Sequence, residues 1–136
     1  MGQEMIINHP AVIVAAISDF VVGALWYSPL LFFQSWMKEN GFSEADLNKR
    51  KPATLYGMTF ILALLISYNL AAFLGDANTD MTWGLTAGIL AGLGFSAFSF
   101  SIVALFEQKS VKYMLINGGY ITVAFALKGL IIGAWR

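Results

Sequence analysis

The chain has 136 residues, of which 58% are hydrophobic and 12% are charged, and its formal net charge is zero. Soluble domains carry about 25% charged residues, so this composition and the mean hydropathy of +0.69 indicate a membrane protein. A neutral chain without a basic stripe lacks the electrostatic basis for nucleic-acid binding. The lack of cysteine excludes disulfides, thiolate nucleophiles and Cys-ligated metals. The length predicts a single domain over residues 1–136.

Four apolar segments are long enough to cross a hydrocarbon core about 30 Å thick, which needs roughly 20 helical residues. They cover about residues 11–28, 53–74, 83–105 and 113–135. The segments are too long for membrane strands and lack period-two alternation. We therefore expect an all-α membrane protein in which four transmembrane helices form a four-helix bundle.

Charges in the connections between these segments predict the orientation in the membrane. The first and third connections contain six basic residues, namely Lys38, Lys49, Arg50, Lys51, Lys109 and Lys112. The second connection and the N-terminal tail have no basic residue, and only Arg136 opposes the pattern. The positive-inside rule then places the connections 32–52 and 107–112 in the cytoplasm and both termini outside.

An aromatic segment follows the first apolar run. Pro29 disfavours a helical conformation at Ser28, so the first span should end or kink near Trp26 and Tyr27. The residues that follow, including Trp36, form an amphipathic pattern that predicts a short segment lying in the membrane interface. We expect Trp26, Tyr27 and Trp36 to form part of an aromatic belt at that interface, where an apolar ring with one polar atom is best placed.

Asp19 and Lys128 each lie inside an apolar run, where an ionisable side chain is a functional-site candidate by default. A rise of 1.5 Å per residue places Asp19 about 13 Å and Lys128 about 10 Å below the outer surface. Each charge costs roughly 2.5–3.5 kcal/mol if it is unpaired near the membrane centre. Because the depths agree and the charges are opposite, we expect the two side chains to pair.

Three interpretations of this pair remain open. It is a structural fastening between the first and fourth helices, or Lys128 extends outward while a protonated Asp19 bonds to a hydroxyl, or the site handles a proton, an ion or a polar solute. Asn69 and Thr86 lie about 8 Å and about 5 Å below the same surface. They predict either a polar pocket in the outer half of the bundle, open to the outside, or only interhelical hydrogen bonds.

Gly84, Gly88, Gly92 and Ser96 recur at four-residue spacing along the third span. They form a smooth face on which another helix backbone can pack closely, and the fourth span has a similar glycine pair beside Lys128. One small bundle does not evidently need this many small-residue stripes to pack its own helices. We therefore expect a homo-oligomer, most simply a dimer, while the alternative is that every stripe is used within one chain.

No arrangement of residues indicates an enzyme. The single histidine, His9, lies at the start of the first span and is better explained as a helix-end residue than as a ligand or base. One histidine without cysteine disfavours a transition-metal site, and no glycine-rich phosphate loop lies between a strand and a helix. We expect no catalytic residue, no metal and no cofactor.

The first connection also resembles a known family. Asn8, the segment 23–32 and Trp36-Met37 resemble the opening of small bacterial membrane proteins catalogued as domain of unknown function 1761. The segment 117–120 also fits, and the Trp-Tyr-Ser-Pro run is the specific part of a resemblance that covers nearly the whole chain. The resemblance implies a four-helix integral protein of a bacterial cytoplasmic (inner) membrane and no site residue. Phe33 departs from the pattern, because a small residue is expected there.

These observations predict a transport-related role, in which a proton or small polar solute is moved or sensed at Asp19 and Lys128. The alternative is a structural or accessory subunit that binds itself or a larger membrane partner, with an ion pair that only fixes helix register. The small size favours the alternative, since most transporters build their sites from more helices or from repeats.

Overall fold

The computed structural model describes residues 5–136. Its helices are α1 (His9–Trp26), α2 (Phe33–Asn40), α3 (Glu44–Leu47), α4 (Pro52–Phe73), α5 (Met81–Phe106) and α6 (Val111–Ala134). The helices α1, α4, α5 and α6 are long and apolar enough to cross a membrane, and residues 5–136 contain no strand. The predicted fold class is therefore confirmed, and the four spans end within two residues of the predicted positions.

Side-chain caps and prolines fix where the long helices begin. Asn8, Asp80 and Ser110 each accept a hydrogen bond from the backbone N–H three residues further along the chain, at 2.8–3.1 Å. Such bonds satisfy N–H groups that have no partner within the first helical turn. Helix α4 begins at Pro52, whose missing N–H would have had no partner at this position. Helix α1 ends ahead of Pro29, and a series of turns leads into α2.

Helix α6 lies at the centre of the fold and contacts α1, α4 and α5, while α4 also packs against α1. A buried apolar core joins α1, α4 and α6 near one end of the helices, and its members are Val12, Ala15, Leu70, Ala71, Leu74 and Ile132. At that end Arg136 donates to the carbonyl oxygens of Leu74 and Asp76, both at 2.7 Å. At the opposite end the Ser110 hydroxyl donates to Glu39 and joins the start of α6 to α2.

A glycine seam holds α5 against α6. A Cβ atom added at Gly84 would lie 2.2 Å from the carbonyl oxygen of Gly129, and one added at Gly88 would lie 2.4 Å from that of Phe125. These distances leave no room for a side chain, so the two backbones are in direct van der Waals contact. The face that we expected to serve self-association is instead covered by α6 of the same chain, because Gly129 and Gly133 provide a matching smooth stripe.

A π-helical section, Leu90–Ala97, interrupts α5 between two α-helical parts. In a π-helix the backbone hydrogen bonds span five residues instead of four, so the buried face moves forward along the sequence. Gly92 still packs against α6, but the next buried position is Ala97, which is 3% exposed and lies against Gly118. The predicted four-residue stripe therefore ends at Gly92, and Ser96 is only half-buried.

Candidate functional site

Asp19 on α1 and Lys128 on α6 form a buried ion pair. The Lys128 ammonium contacts one carboxylate oxygen of Asp19, and the Tyr120 hydroxyl donates a hydrogen bond to the other. Asp19 is 7% exposed and Lys128 is 1% exposed. The Lys128 nitrogen also lies 4.9 Å from the centre of the Phe125 ring, whose face attracts a cation. Both charges therefore have partners in spite of their burial, and Lys128 does not extend outward.

Helical periodicity and one glycine bring these groups together. Tyr120 precedes Lys128 by eight residues, and Tyr27 follows Asp19 by eight, so each pair lies on one side of its helix. Gly23 lies between Asp19 and Tyr27, and an added Cβ there would lie 3.5 Å from the Tyr120 ring. A methyl group at this position would meet the ring at an ordinary van der Waals distance, so Gly23 places the Tyr120 ring directly against α1.

A second set of hydrogen bonds joins the end of α1 to α6. The Tyr27 hydroxyl donates to Oδ1 of Asn117 at 2.5 Å, and Nδ2 of Asn117 donates to the Tyr113 carbonyl oxygen at 3.1 Å. The Trp26 indole N–H donates to the Ile116 carbonyl oxygen at 2.8 Å. These bonds hold α1 on α6 between the ion pair and the α2 end of the fold.

The aromatic motif that we expected in an interfacial belt makes most of its polar contacts within the protein. The Trp26 ring fits against Gly119, where an added Cβ would lie 2.8 Å from the ring. Trp36 of α2 meets the Tyr27 ring edge-on, with the ring centres 5.7 Å apart. The Ser28 hydroxyl donates to a carbonyl oxygen three residues back, at 2.7 Å, and the following proline is exposed. Trp26 and Tyr27 thus direct their polar atoms at α6.

A cleft of about 620 Å³ lies beside the ion pair, between α1, α2, α4 and α6. Asp19 and Tyr120 line it, as do the polar side chains of Thr59 and Asn117. Four aromatic residues form much of its wall: Phe20, Tyr27, Trp36 and Tyr56. Lys128 lies behind the carboxylate and does not line the cleft. A solute in the cleft would therefore meet the negative end of the ion pair.

The direction of the cleft differs from the predicted one. Asp19 lies ten residues after the start of α1 and seven before its end, which is about 10 Å from the α2 end of that helix. Trp36 of α2 and Leu55 and Tyr56 of α4 border the far end of the cleft. One of the two predicted alternatives was a polar pocket open to the outside, but the cleft extends toward the basic connections, because α2 and the start of α4 form its walls.

Asn69 and Thr86, which share the predicted depth of the polar site, lie away from it. Both are exposed, and the Thr86 hydroxyl donates to the Thr82 carbonyl oxygen on its own helix at 2.8 Å. On α4 the buried positions beside Asn69 are Ser67 and Leu70. Depth along a helix does not determine the direction of a side chain, so depth alone was not enough to place these two residues.

Sequence reasoning also missed residues that build the site. Tyr120 carried a usable signal, because its eight-residue spacing places it on the same helix face as Lys128. Phe20, Thr59 and Tyr56 line the cleft through the packing of α4 on α1. The rotation of one helix relative to another leaves no mark at a single sequence position, so these three had no comparable signal.

Within residues 5–136, no group of three His, Cys, Asp or Glu side chains could hold a metal ion. His9 lies at the start of α1, and its Nδ1 atom is 2.8 Å from the Tyr68 hydroxyl. The histidine thus joins α1 to α4 at the end of the fold remote from the cleft.

No curated protein and no solved structure matches this chain. A family match covers residues 10–133. These residues include all four long helices, except His9 at the start of α1 and Ala134 at the end of α6. The chain therefore belongs to the family described as "Protein of unknown function (DUF1761)".

Proposed function

We propose that this protein binds a proton or small polar solute at Asp19 and takes part in moving or sensing it across a membrane. One observation supports this role: the Asp19 carboxylate is buried and charge-paired, yet it also lines a cleft of about 620 Å³. Small-molecule sites measure about 300–1,000 Å³, and ionisable residues within spans mark solute and proton paths by default. The proposal includes no catalytic step.

The proposed setting is a bacterial cytoplasmic membrane, with both termini outside and the connections 32–52 and 107–112 in the cytoplasm. The charge pattern supports this orientation. Contacts at one end of the fold keep both terminal segments on the side of the second connection, because the Ile6 backbone N–H donates to the Gly75 carbonyl oxygen at 2.9 Å and Arg136 binds the same connection. In this orientation the cleft extends toward the cytoplasmic side.

A structural or accessory role is the second candidate. Both carboxylate oxygens of Asp19 already have partners, so the pair has the geometry of a fastening between α1 and α6. Helix α5 buries the smallest share of its length among the four spans. In this role its outward apolar side would bind a second copy of the chain, most simply as a dimer, or a larger membrane partner.

Flux measurements on reconstituted protein separate the two candidates. Vesicles with an entrapped pH-sensitive dye would contain the wild type, Asp19→Asn or, as a matched control, Glu44→Gln, which changes an exposed carboxylate outside the spans. The proposed role predicts a proton flux that Asp19→Asn abolishes and Glu44→Gln retains. Equal proton flux from folded wild type and folded Asp19→Asn would contradict proton transport at Asp19 and favour the accessory role.

A further inference from the structure

Four hydroxyl groups line the cleft, those of Tyr27, Tyr56, Thr59 and Tyr120, and all but that of Tyr56 have already committed their protons within the protein. Tyr120 donates to the Asp19 carboxylate, Tyr27 to a side-chain amide, and Thr59 to a backbone carbonyl oxygen of its own helix at 2.7 Å. A hydroxyl has one proton to donate and two lone pairs that accept. Toward a solute in the cleft the three committed hydroxyl groups therefore act as hydrogen-bond acceptors.

The orientation of the Asn117 amide determines the role of Tyr27. The Tyr113 carbonyl oxygen can only accept, so the amide nitrogen of Asn117 must face it, at 3.1 Å. The amide oxygen then faces Tyr27, and the tyrosine hydroxyl must donate to it. A flipped amide would place two acceptors against each other, so the assignment of Tyr27 as a donor to Asn117 is determined by its surroundings.

Asp19 adds a full negative charge to this set of acceptors. It is the one charged side chain among the residues that line the cleft, all of which belong to the described part of the chain. A carboxylate offers about four lone-pair positions, and Lys128 and Tyr120 take one each. Because Lys128 approaches from the sealed side, the unused positions remain for a group that enters through the cleft.

The aromatic wall favours the same charge. The rings of Phe20, Tyr27, Trp36 and Tyr56 come from three different helices, and the Phe20 and Tyr56 ring centres lie 6.4 Å apart across the α1–α4 contact. The face of an aromatic ring attracts a cation within about 6 Å of its centre. The same rings provide an apolar surface for an organic substituent, so the wall suits a cation that carries hydrocarbon.

A basic segment beyond the far end of the cleft would attract an anionic solute, but it lies outside the cleft. Lys49, Arg50 and Lys51 line a neighbouring pocket of about 430 Å³ that shares Leu55 and Tyr56 with the cleft wall. These basic side chains are exposed to water, where charge interactions are screened over about 8 Å at physiological ionic strength. They affect how fast a charged solute enters, whereas the acceptors inside the cleft determine which solute stays.

We propose that the ligand of this cleft is a small organic cation: a protonated amine whose N–H groups bind Asp19 and whose apolar substituent packs on the aromatic wall. The inference rests on the proposed function, because it names the solute of the same site. The ammonium supplies the donors that match the acceptors, and charge-assisted bonds of this kind are the strong ones. Lys128 competes for the same carboxylate, so its removal should strengthen cation binding.

A matched series of benzyl compounds tests the charge preference on the unmodified protein. The detergent-solubilised full chain is titrated with benzylammonium, benzyltrimethylammonium, benzyl alcohol and benzoate, and binding is followed by the change in tryptophan fluorescence, to which Trp36 on the cleft wall contributes. We expect benzylammonium to bind at least tenfold more tightly than benzyl alcohol, and benzoate to bind most weakly. Benzyltrimethylammonium carries the charge but no N–H donor and should fall between them. Benzyl alcohol or benzoate binding as tightly as benzylammonium would overturn the proposal.

Three variants assign the preference to the carboxylate. Asp19→Asn should weaken benzylammonium binding at least tenfold and leave benzyl alcohol binding unchanged, while Glu44→Gln should change neither. Lys128→Met should tighten benzylammonium binding, because it removes the competing ammonium. An unchanged benzylammonium affinity in folded Asp19→Asn would overturn the assignment. If that variant does not fold, the ligand series on the wild type still decides the charge preference.

The outcomes also separate this inference from the proposed function. Asp19-dependent binding of benzyl alcohol or benzoate, together with Asp19-dependent flux, would refute the cation preference and leave the proposed function intact. Failure of all four compounds to bind, together with the same flux from wild type and Asp19→Asn, would contradict both.

Discussion

Removing one member of the buried ion pair should destabilise the fold far more than removing both. In Asp19→Asn the Lys128 ammonium would remain in a site that is 1% exposed, without its counter-charge. In Lys128→Met the carboxylate would keep only the Tyr120 hydrogen bond. In the double variant no unpaired charge is left, and methionine is a flexible apolar side chain that fills irregular space.

The magnitude follows from burial. Removing one partner of a buried ion pair costs about 3–5 kcal/mol, because the remaining charge stays desolvated. The cost of one charge near the membrane centre, roughly 2.5–3.5 kcal/mol, is of the same size. In Asp19→Asn the Phe125 ring still attracts the ammonium, so we expect the lower end of that range. The double variant should lie within about 1 kcal/mol of the wild type, and with single effects of about 3 kcal/mol or more each this gives a coupling energy of about 5 kcal/mol or more.

Denaturant titration in mixed micelles measures the free energy of unfolding for the four proteins of this cycle. Glu44→Gln and Lys112→Met, which change exposed residues outside the ion pair, form a control cycle with no expected coupling. If the two single effects in the Asp19–Lys128 cycle add to within about 0.5 kcal/mol, as they do for independent sites, the two side chains do not stabilise each other. That result would refute the reasoning from burial.

Three further changes test neighbouring features. Gly88→Leu should separate α5 from α6 and cost about 3 kcal/mol of unfolding free energy, whereas Gly94→Leu faces open space and should cost less than about 1 kcal/mol; equal effects would contradict the glycine seam. Tyr120→Phe should cost about 1.5–3 kcal/mol, because a hydrogen bond to a charged group is lost, and unchanged stability would show that this bond contributes nothing. The Ser43 backbone N–H holds the pKa of the Asp46 carboxyl below its usual range, so the α3 cap should be fully formed above the ordinary carboxyl pKa. The protection of the Ser43 amide, taken as the intrinsic exchange rate relative to its observed rate at the same pH, should fall as the pH falls through the lowered value, and constant protection would contradict the capping bond.

The fold could be predicted because the features that determine it are local in the sequence. Span positions follow from the length of apolar runs, and their ends from caps and prolines such as Asn8 and Pro52. Depth and sign of charge were enough to suggest Asp19 and Lys128 as partners, because no other charged residue lies as deep in the spans. These properties can be read from sequence position without knowledge of how the helices rotate.

The rest of the site depends on rotation and register, which single positions do not encode. The π-helical section shifts the buried face of α5, so Ala97 takes the place that the glycine spacing assigned to Ser96. Asn69 has the predicted depth of the polar site, but its side chain is exposed, whereas Tyr56, at the start of α4, lines the cleft. Predicting either outcome requires the packing angle of α4 on α1.

The orientation of the ion pair bears on the choice between the two proposed roles, a fastening and a binding site. Lysine is the longer and more flexible partner, and its ammonium usually extends toward water while its stem covers apolar surface. A pair that only fastened α1 to α6 would be satisfied equally well with Lys128 toward the cleft and Asp19 sealed behind it. The structure has the reverse arrangement, with the carboxylate on the cleft wall and the ammonium enclosed. The proposed cation site requires the observed arrangement, whereas a fastening is compatible with either one. The charge preference of ligand binding therefore discriminates between the two proposed roles better than stability alone.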